Sequence, residues 1–287
     1  MSRTVYLNGE YVPEQEAMVS IFDRGFVMGD AVYEVTAVID GKLWDFEGHV
    51  ARLARSLDAL EIQNPLDRET LLEIHHELIR RNPDFTDGGI YLQVSRGNAG
   101  DRDFVYPAAD VAPTVVLYTQ SKPGLLNDPK AKTGIKVISV PDLRWHRRDI
   151  KTVQLLYPSM AKMAAKKAKA DDAWFVEDGK VTEGSSNNVY IVKDGKIITR
   201  ELSHDILHGI TRAAVLRMAK EAQMQVEERA FTIEEAQSAD EAFFTSASAF
   251  VMPVVEVDGA KVGTGTPGKV ATRLREIYLE ESAKTAL

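Results

Sequence analysis

Apolar and polar residues alternate over Thr4–Leu7 and again at Tyr11-Val12, with Asn8-Gly9 between them. That pattern predicts a β-hairpin, because Asn-Gly supplies the positive φ angles of a type I′ turn. Ala31–Ile39 (AVYEVTAVI) reads as a strand, turned by Asp40-Gly41 into a second strand over 42–46. The period then changes. Val50, Leu53, Ala54, Leu57 and Leu60 recur at three- and four-residue spacing, which predicts a helix ended by Pro65. A second amphipathic helix covers 68–80 and closes at Asn82-Pro83. Strands follow at 90–95 and 114–119.

Residues 120–134 (QSKPGLLNDPKAKTG) hold two prolines and two glycines and form the best candidate boundary. The chain thus divides into a small N-terminal domain (1–120), a linker (121–134) and a C-terminal domain (135–287). In the second part a strand is predicted at 135–140 and an Ala/Lys/Met-rich helix at 159–169. Strand-turn-strand alternations run through 173–176, 181–183, 188–192 and Lys196–Thr199, punctuated by Asp178-Gly179 and Asp194-Gly195. A helix at 211–223, a strand at 241–245 and a helix at 268–282 complete the pattern. Strands and helices mix without regular βαβ alternation and without internal repeats. Two α/β or α+β units therefore fit better than a Rossmann fold. Gly25-x-x-x-Gly29 is no dinucleotide fingerprint, and there is no Walker P-loop.

Composition narrows the chemistry. The 287 residues include 35 Lys plus Arg against 43 Asp plus Glu, a net charge of −8. The acidic balance opposes a general nucleic-acid surface. There is no cysteine, so disulfides, thiolate metal sites and a cysteine nucleophile are excluded. No long apolar stretch follows Arg3, so no secretory signal is expected; no window nears 18 apolar residues, so no membrane span is expected. The default expectation is a cytoplasmic protein. The six histidines show no H-x-x-x-H spacing, and no metal site is expected. Gly-x-Ser-x-Gly is absent, which removes the nucleophile elbow of α/β-hydrolases.

Three small-polar clusters lie in the second half. Glu183-Gly184-Ser185-Ser186-Asn187-Asn188 falls between two strands, where its hydroxyls and amides can cradle an anion or simply turn the chain. Gly209-Ile210-Thr211-Arg212 opens a helix, a place that suits phosphate or an ordinary threonine cap. Thr245-Ser246-Ala247-Ser248 follows a strand. Lys162, Lys166, Lys167 and Lys169 read as a solvated helix face. Lys151 differs, since it follows Arg144-Trp145-His146-Arg147-Arg148-Asp149-Ile150, where cations and desolvation can turn an amine into a carbonyl nucleophile.

Arg144-Trp145…Asp149-Ile150-Lys151 resembles the catalytic-lysine motif of the class IV (fold-type IV) pyridoxal-phosphate-dependent aminotransferases. Glu183-Gly184-Ser185, Asn188-Val189-Tyr190, Ile197-Ile198-Thr199 and Leu207-His208-Gly209-Ile210-Thr211-Arg212 resemble that class's signature. Asp23-Arg24-Gly25, Gly29-Asp30-Ala31-Val32-Tyr33-Glu34, His49-Val50-Ala51-Arg52-Leu53, Ala239-Asp240-Glu241…Thr245-Ser246 and Met252-Pro253-Val254 agree with it. The likeness covers nearly the whole chain and is nearest to the D-amino-acid aminotransferases.

The resemblance implies a two-domain, mixed α/β enzyme with its active site between the domains. Lys151 would hold pyridoxal 5′-phosphate as a Schiff base and shuttle the proton, and Glu183 would pair with the pyridine nitrogen. Arg52 would bind the phosphate with Ile210, Thr211, Ser246 and the backbone of Ala247. Leu207 would pack on the cofactor ring, and Ser185, Ser186 and Asn187 would line its pocket. Tyr33 and Val35 would face the substrate. A loop reading Arg96-Gly97-Asn98-Ala99-Gly100-Asp101-Arg102-Asp103-Phe104 would reach across a homodimer interface to the substrate carboxylate. Arg102 falls where the family places an arginine, allowing one inserted residue. Phe104 stands where the family has a histidine, and Ala247 where it has a threonine. The implied reaction moves an amino group from a D-amino acid to 2-oxoglutarate or pyruvate. Branched-chain L-amino-acid transamination, (R)-amine transamination and an aminodeoxychorismate-type lyase reaction share the same lysine.

Overall fold

The computed structural model describes residues 2–287. Two compact units emerge. The first comprises residues up to Leu125 together with Ile150–Gln154 and Ala286–Leu287; the second comprises Leu126–Asp149 and Leu155–Thr285. The chain therefore crosses between the units at more places than the stretch 121–134, and Lys151 belongs to the first unit.

The first unit contains β1 (Thr4–Leu7), β2 (Glu10–Pro13), α1 (Arg24–Met28), β3 (Ala31–Ile39), β4 (Lys42–Leu43), α2 (Phe46–Ala59), α3 (Arg68–Arg81), β5 (Gly88–Ser95) and β6 (Thr114–Ser121). Asn8 and Gly9 both take positive φ, 48° and 100°, and close the β1–β2 hairpin. The six strands form one antiparallel sheet in the order β2-β1-β6-β5-β3-β4. The strand expected over 42–46 stops at Leu43. Asp45 turns into the left-handed region at φ 53°, and Phe46 begins α2. Asp67 caps α3 by accepting from the Thr70 amide at 2.8 Å. Leu53 and Leu57 of α2 and Leu71, Ile74 and Leu78 of α3 bury their apolar stripe against Val32, Val38, Ile90, Leu92 and Leu117 of the sheet. Alternation along β3 puts Val32, Glu34 and Thr36 on this covered face and Tyr33 and Val35 on the other.

The second unit adds α4 (Lys130–Thr133), β7 (Ile135–Pro141), α5 (Leu156–Lys167), β8 (Asp172–Glu177), β9 (Lys180–Gly184), β10 (Asn188–Lys193), β11 (Lys196–Thr199), α6 (Ile210–Glu221), β12 (Gln225–Glu228), α7 (Ile233–Gln237), β13 (Glu241–Ser246), β14 (Phe250–Val257), β15 (Ala260–Lys261) and α8 (Lys269–Thr285). Its sheet runs β12-β11-β10-β13-β14-β7-β8-β9, with β15 on β14. β7 lies parallel to β14 and β8, and β12 parallel to β11, while the remaining pairs are antiparallel. The strands are apolar on both faces at β10 and β14, consistent with cover on each side. Trp174, Val189, Ile191, Phe231 and Met252 anchor the main core, and Ala161 and Ala165 of α5 pack on Ala173 and Phe175. Among the described residues no helix is long and apolar enough to cross a membrane.

Candidate active site

In the first unit, Lys151 is held at its backbone. Its carbonyl accepts from the Tyr33 amide at 3.0 Å, and its amide donates to Ser56 Oγ at 3.3 Å. Ile150 is buried in the sheet–helix core, Thr152 bridges to Val32, and Val153 donates to the Ala31 carbonyl at 3.1 Å. The Lys151 Nζ lies 4.1 Å from the centroid of the Tyr33 ring. Tyr33 in turn stacks on Tyr91 at 5.7 Å, and Tyr91 on Tyr118 at 5.0 Å, so the amine ends a row of aromatic rings across β3, β5 and β6. Val35 is half-buried on that same face of β3.

Arg52 projects from α2 and is buried. Its Nε donates to Glu34 Oε1 and its Nη2 to Glu34 Oε2, both at 2.7 Å, while His49 Nδ1 meets Glu34 Oε2 at 2.7 Å. Burial by itself would raise the pKa of Glu34. The Arg52 guanidinium and then the His49 hydrogen bond outweigh it and hold the carboxyl well below the ordinary range. The fork geometry fixes the guanidinium plane, so Arg52 is oriented before any anion arrives.

In the second unit, Glu183 lies near the end of β9 and is buried. Arg144 Nη1 donates to its Oε1 at 2.5 Å; the Asn188 Nδ2 and the Leu207 amide donate to its Oε2 at 3.1 and 3.0 Å. Arg144 is itself gripped by Asp142, Nε to Oδ1 at 2.9 Å and Nη2 to Oδ2 at 2.7 Å. Burial raises the pKa of Glu183 and Arg144 opposes the rise, leaving a basic carboxylate in a dry site. Arg144, Asp142 and Asn188 were not among the expected site residues. Arg144 and Asn188 stand in the motifs quoted above and Asp142 just before one of them, but only the fold brings the segment after β7 together with β9 and β10 at Glu183. The Asn188 amide also donates to the Leu207 carbonyl at 2.9 Å, tying the half-buried Leu207 in place. Gly209 permits this: a Cβ there would stand 2.0 Å from Asn188 Oδ1.

The serine-rich loop after β9 is tied to a buried carboxylate. Ser185 Oγ donates to Asp172 Oδ1 at 2.5 Å and Asn187 Nδ2 to Asp172 Oδ2 at 2.7 Å. Lys162 Nζ reaches the same buried carboxylate at 3.0 Å, so this lysine is paired where a merely solvated face was expected. The polar ends of Ser185 and Asn187 thus shape the loop from behind, and Ser186 alone of the three is exposed.

Gly209 is the N-cap of α6 and offers no side chain to the first-turn amides, while Thr211 is buried with its hydroxyl making no hydrogen bond among the described residues. Those amides and that hydroxyl are the donors a phosphate needs. Ser246 ends β13 and Ala247 lies in the turn to β14, both half-buried. A separate grouping sets His146, Glu177 and Asp205 with ligand atoms within 4.8 Å of one another. Arg148 holds Glu177 from two nitrogens at 2.9 and 2.8 Å, and Arg200 holds Asp205 at 2.9 Å, so the carboxylates are already neutralised.

Arg102 and Phe104 lie exposed on the loop between β5 and β6, the Arg102 guanidinium 5.1 Å from the Phe104 ring centroid.

Each unit holds groups of the kind pyridoxal phosphate takes: the first an amine on a restrained backbone and an oriented guanidinium, the second a buried basic carboxylate and helix-start amides. Comparison with known proteins agrees. The model of the amino-transferase class IV family matches residues 31–257. The chain is 40% identical to the D-alanine aminotransferase of Bacillus licheniformis over 98% of its length and 99% of the relative's. It is 38% identical to the D-alanine aminotransferase of Staphylococcus haemolyticus over 95% of each chain. The fold superposes on a T.th. branched-chain amino acid aminotransferase, solved with pyridoxamine 5′-phosphate, at TM-score 0.89 and 29% identity, covering 99% of this chain and 95% of that one. The chain belongs to the class IV amino-transferase family.

Proposed function

We propose that the protein is a pyridoxal-phosphate-dependent aminotransferase that passes the amino group of a D-amino acid to a 2-oxo acid such as 2-oxoglutarate or pyruvate. The observation that carries the D-amino-acid reading is the end-to-end likeness to the two D-alanine aminotransferases. When bound, pyridoxal phosphate supplies an aldehyde that captures an amine and a protonated ring that takes up the electron pair released at the substrate Cα.

The chain's residues do the rest. Lys151 Nζ would hold the cofactor through its aldehyde and, when free, would move the proton at the substrate Cα. Its backbone bonds to Tyr33 and Ser56 fix where the amine starts, and the Tyr33 ring limits where it swings. Glu183 accepts the ring N–H; burial makes it a strong acceptor, and Arg144, Asn188 and the Leu207 amide keep it in register. Arg52, oriented by Glu34, binds the phosphate with the first turn of α6, Ser246 and the Ala247 backbone. Leu207 would pack on the cofactor ring, and Tyr33 and Val35 would line the substrate side. Arg102 forks onto the substrate carboxylate.

The working form is a homodimer in which the Arg102 loop serves the partner's site. Phe26, Phe104 and Val105 support this, being 75, 78 and 72% exposed, a large apolar area for a lone surface. Sedimentation at the monomer mass would overturn it.

The test of the function is borohydride reduction of the yellow holoenzyme. A phosphopyridoxyl group should appear at Lys151 by peptide mass mapping, and Lys151→Ala should lose transamination of D-alanine. Full activity in that variant would refute the assignment. Because the fold also matches a branched-chain enzyme, L-leucine run beside D-alanine and D-glutamate decides the stereochemistry.

A further inference from the structure

We propose that Phe104 is a positioning residue: its ring holds the Arg102 guanidinium ready for a carboxylate substrate, where a hydrogen-bonding side chain would otherwise share the task. The inference rests on the reading of Arg102 as the carboxylate-binding residue.

The loop that carries both residues is anchored from beneath. Asp30 takes Arg24 Nε at 2.8 Å and Arg96 Nε at 2.7 Å. The Arg96 guanidinium also lies 3.7 Å from the Tyr106 ring centroid. From this knot Arg24 Nη1 donates to the Asp103 carbonyl at 2.7 Å and the Val105 carbonyl at 3.3 Å. Asp103 Oδ1 accepts from the Val105 amide at 3.1 Å. The backbone on both sides of Phe104 is therefore pinned, yet the ring itself is 78% exposed and contributes nothing to the core.

Within the chain, the charged group that the exposed ring meets is Arg102, 5.1 Å from the ring centroid. Arg102 makes no hydrogen bond or ion pair among the described residues, so all five of its N–H donors are unspent. A cation over the face of an aromatic ring is attracted by the ring quadrupole, and this contact uses none of the N–H donors, which stay available for two parallel bonds to a carboxylate. A ring adds no donor of its own. Recognition then falls to Arg102 alone, and the ring's contribution is to narrow the rotamers from which Arg102 binds.

The experiment uses the cofactor-loaded enzyme with D-alanine and 2-oxoglutarate. It also measures the Kd of glutarate, which has the carboxylates of 2-oxoglutarate but no reacting carbonyl. Phe104→Leu keeps apolar bulk and removes the ring. It should raise the KM for D-alanine and the Kd for glutarate by about two- to fivefold, with kcat nearly unchanged. Phe104→Tyr, which keeps the ring, should match the wild type. In an Arg102→Met background Phe104→Leu should have no further effect. A Leu variant equal to wild type, or one with the same effect when Arg102 is gone, overturns the proposal. Arg102→Met with wild-type KM and Kd overturns the carboxylate reading itself and the proposal with it. Sedimentation at the wild-type mass and an unchanged visible spectrum verify that each variant is folded, assembled and loaded.

Discussion

Acidification should weaken the first unit through His75, a buried residue of α3 beneath the helix that carries His49 and Arg52. His75 Nδ1 donates to the Leu71 carbonyl at 2.7 Å, and its ring meets the edge of Phe46 at 5.3 Å. Nε2 is buried with no partner. Burial above all disfavours the charged form, and the neighbouring His49 and His76 add repulsion, so its pKa falls from 6.5 to about 4. The unfolded chain therefore binds this proton before the folded one does. The stability is fully present above pH 6.5 and is lost as the pH falls from there towards about 4. The loss is about 2 kcal/mol at about pH 5 and approaches about 3 kcal/mol once both forms are protonated. His75→Leu removes the titrating group and the unpaired Nε2 while keeping apolar volume. At about pH 7.5 its stability should lie within about 1 kcal/mol of wild type. At about pH 5 it should exceed wild type by about 2 kcal/mol more than it does at the higher pH. Urea unfolding of the two proteins at one fixed concentration measures this, and the comparison cancels every other titrating group. An identical gap at both pH values would refute the reasoning.

Two further changes probe the Glu183 site. Arg144→Gln takes the cation from two buried carboxylates and should cost about 3–5 kcal/mol in urea unfolding. The cost should shrink by half or more once Glu183→Gln is present; strictly additive losses would dissolve the proposed pair. Gly209→Ala puts a methyl group 2.0 Å from Asn188 Oδ1 and should push that amide off Glu183 and Leu207. Losing a charge-assisted bond of about 1.5–3 kcal/mol predicts pyridoxal phosphate binding weaker by tenfold or more. Fluorescence titration of the cofactor-free protein would show it, and an unaltered affinity would count against the Asn188 link.

Much of the local structure follows from short-range rules. The Asn8-Gly9 hairpin, the strand at Ala31–Ile39 and the helices under Leu53, Leu57 and Leu78 need only turn geometry and the 2.0 and 3.6 periods. Short elements escaped: α1, α7, β12 and β15 hold too few residues to show a period. β14 carries no plain strand signal because Pro253 interrupts its pattern. The motif around Lys151 and the run from Glu183 to Arg212 were legible because each lies within one stretch of chain.

Partnerships between distant residues were a different matter. Glu34 with Arg52, Arg144 with Glu183, and Asp172 with Ser185 and Asn187 span 13 to 39 positions. Sequence supplies each charge and hydroxyl but leaves many possible partners for it. Tertiary structure chooses among them, because strand order and register set which side chains share a buried space. There each carboxylate must find a donor, since water is excluded and an unpaired charge is too costly to keep.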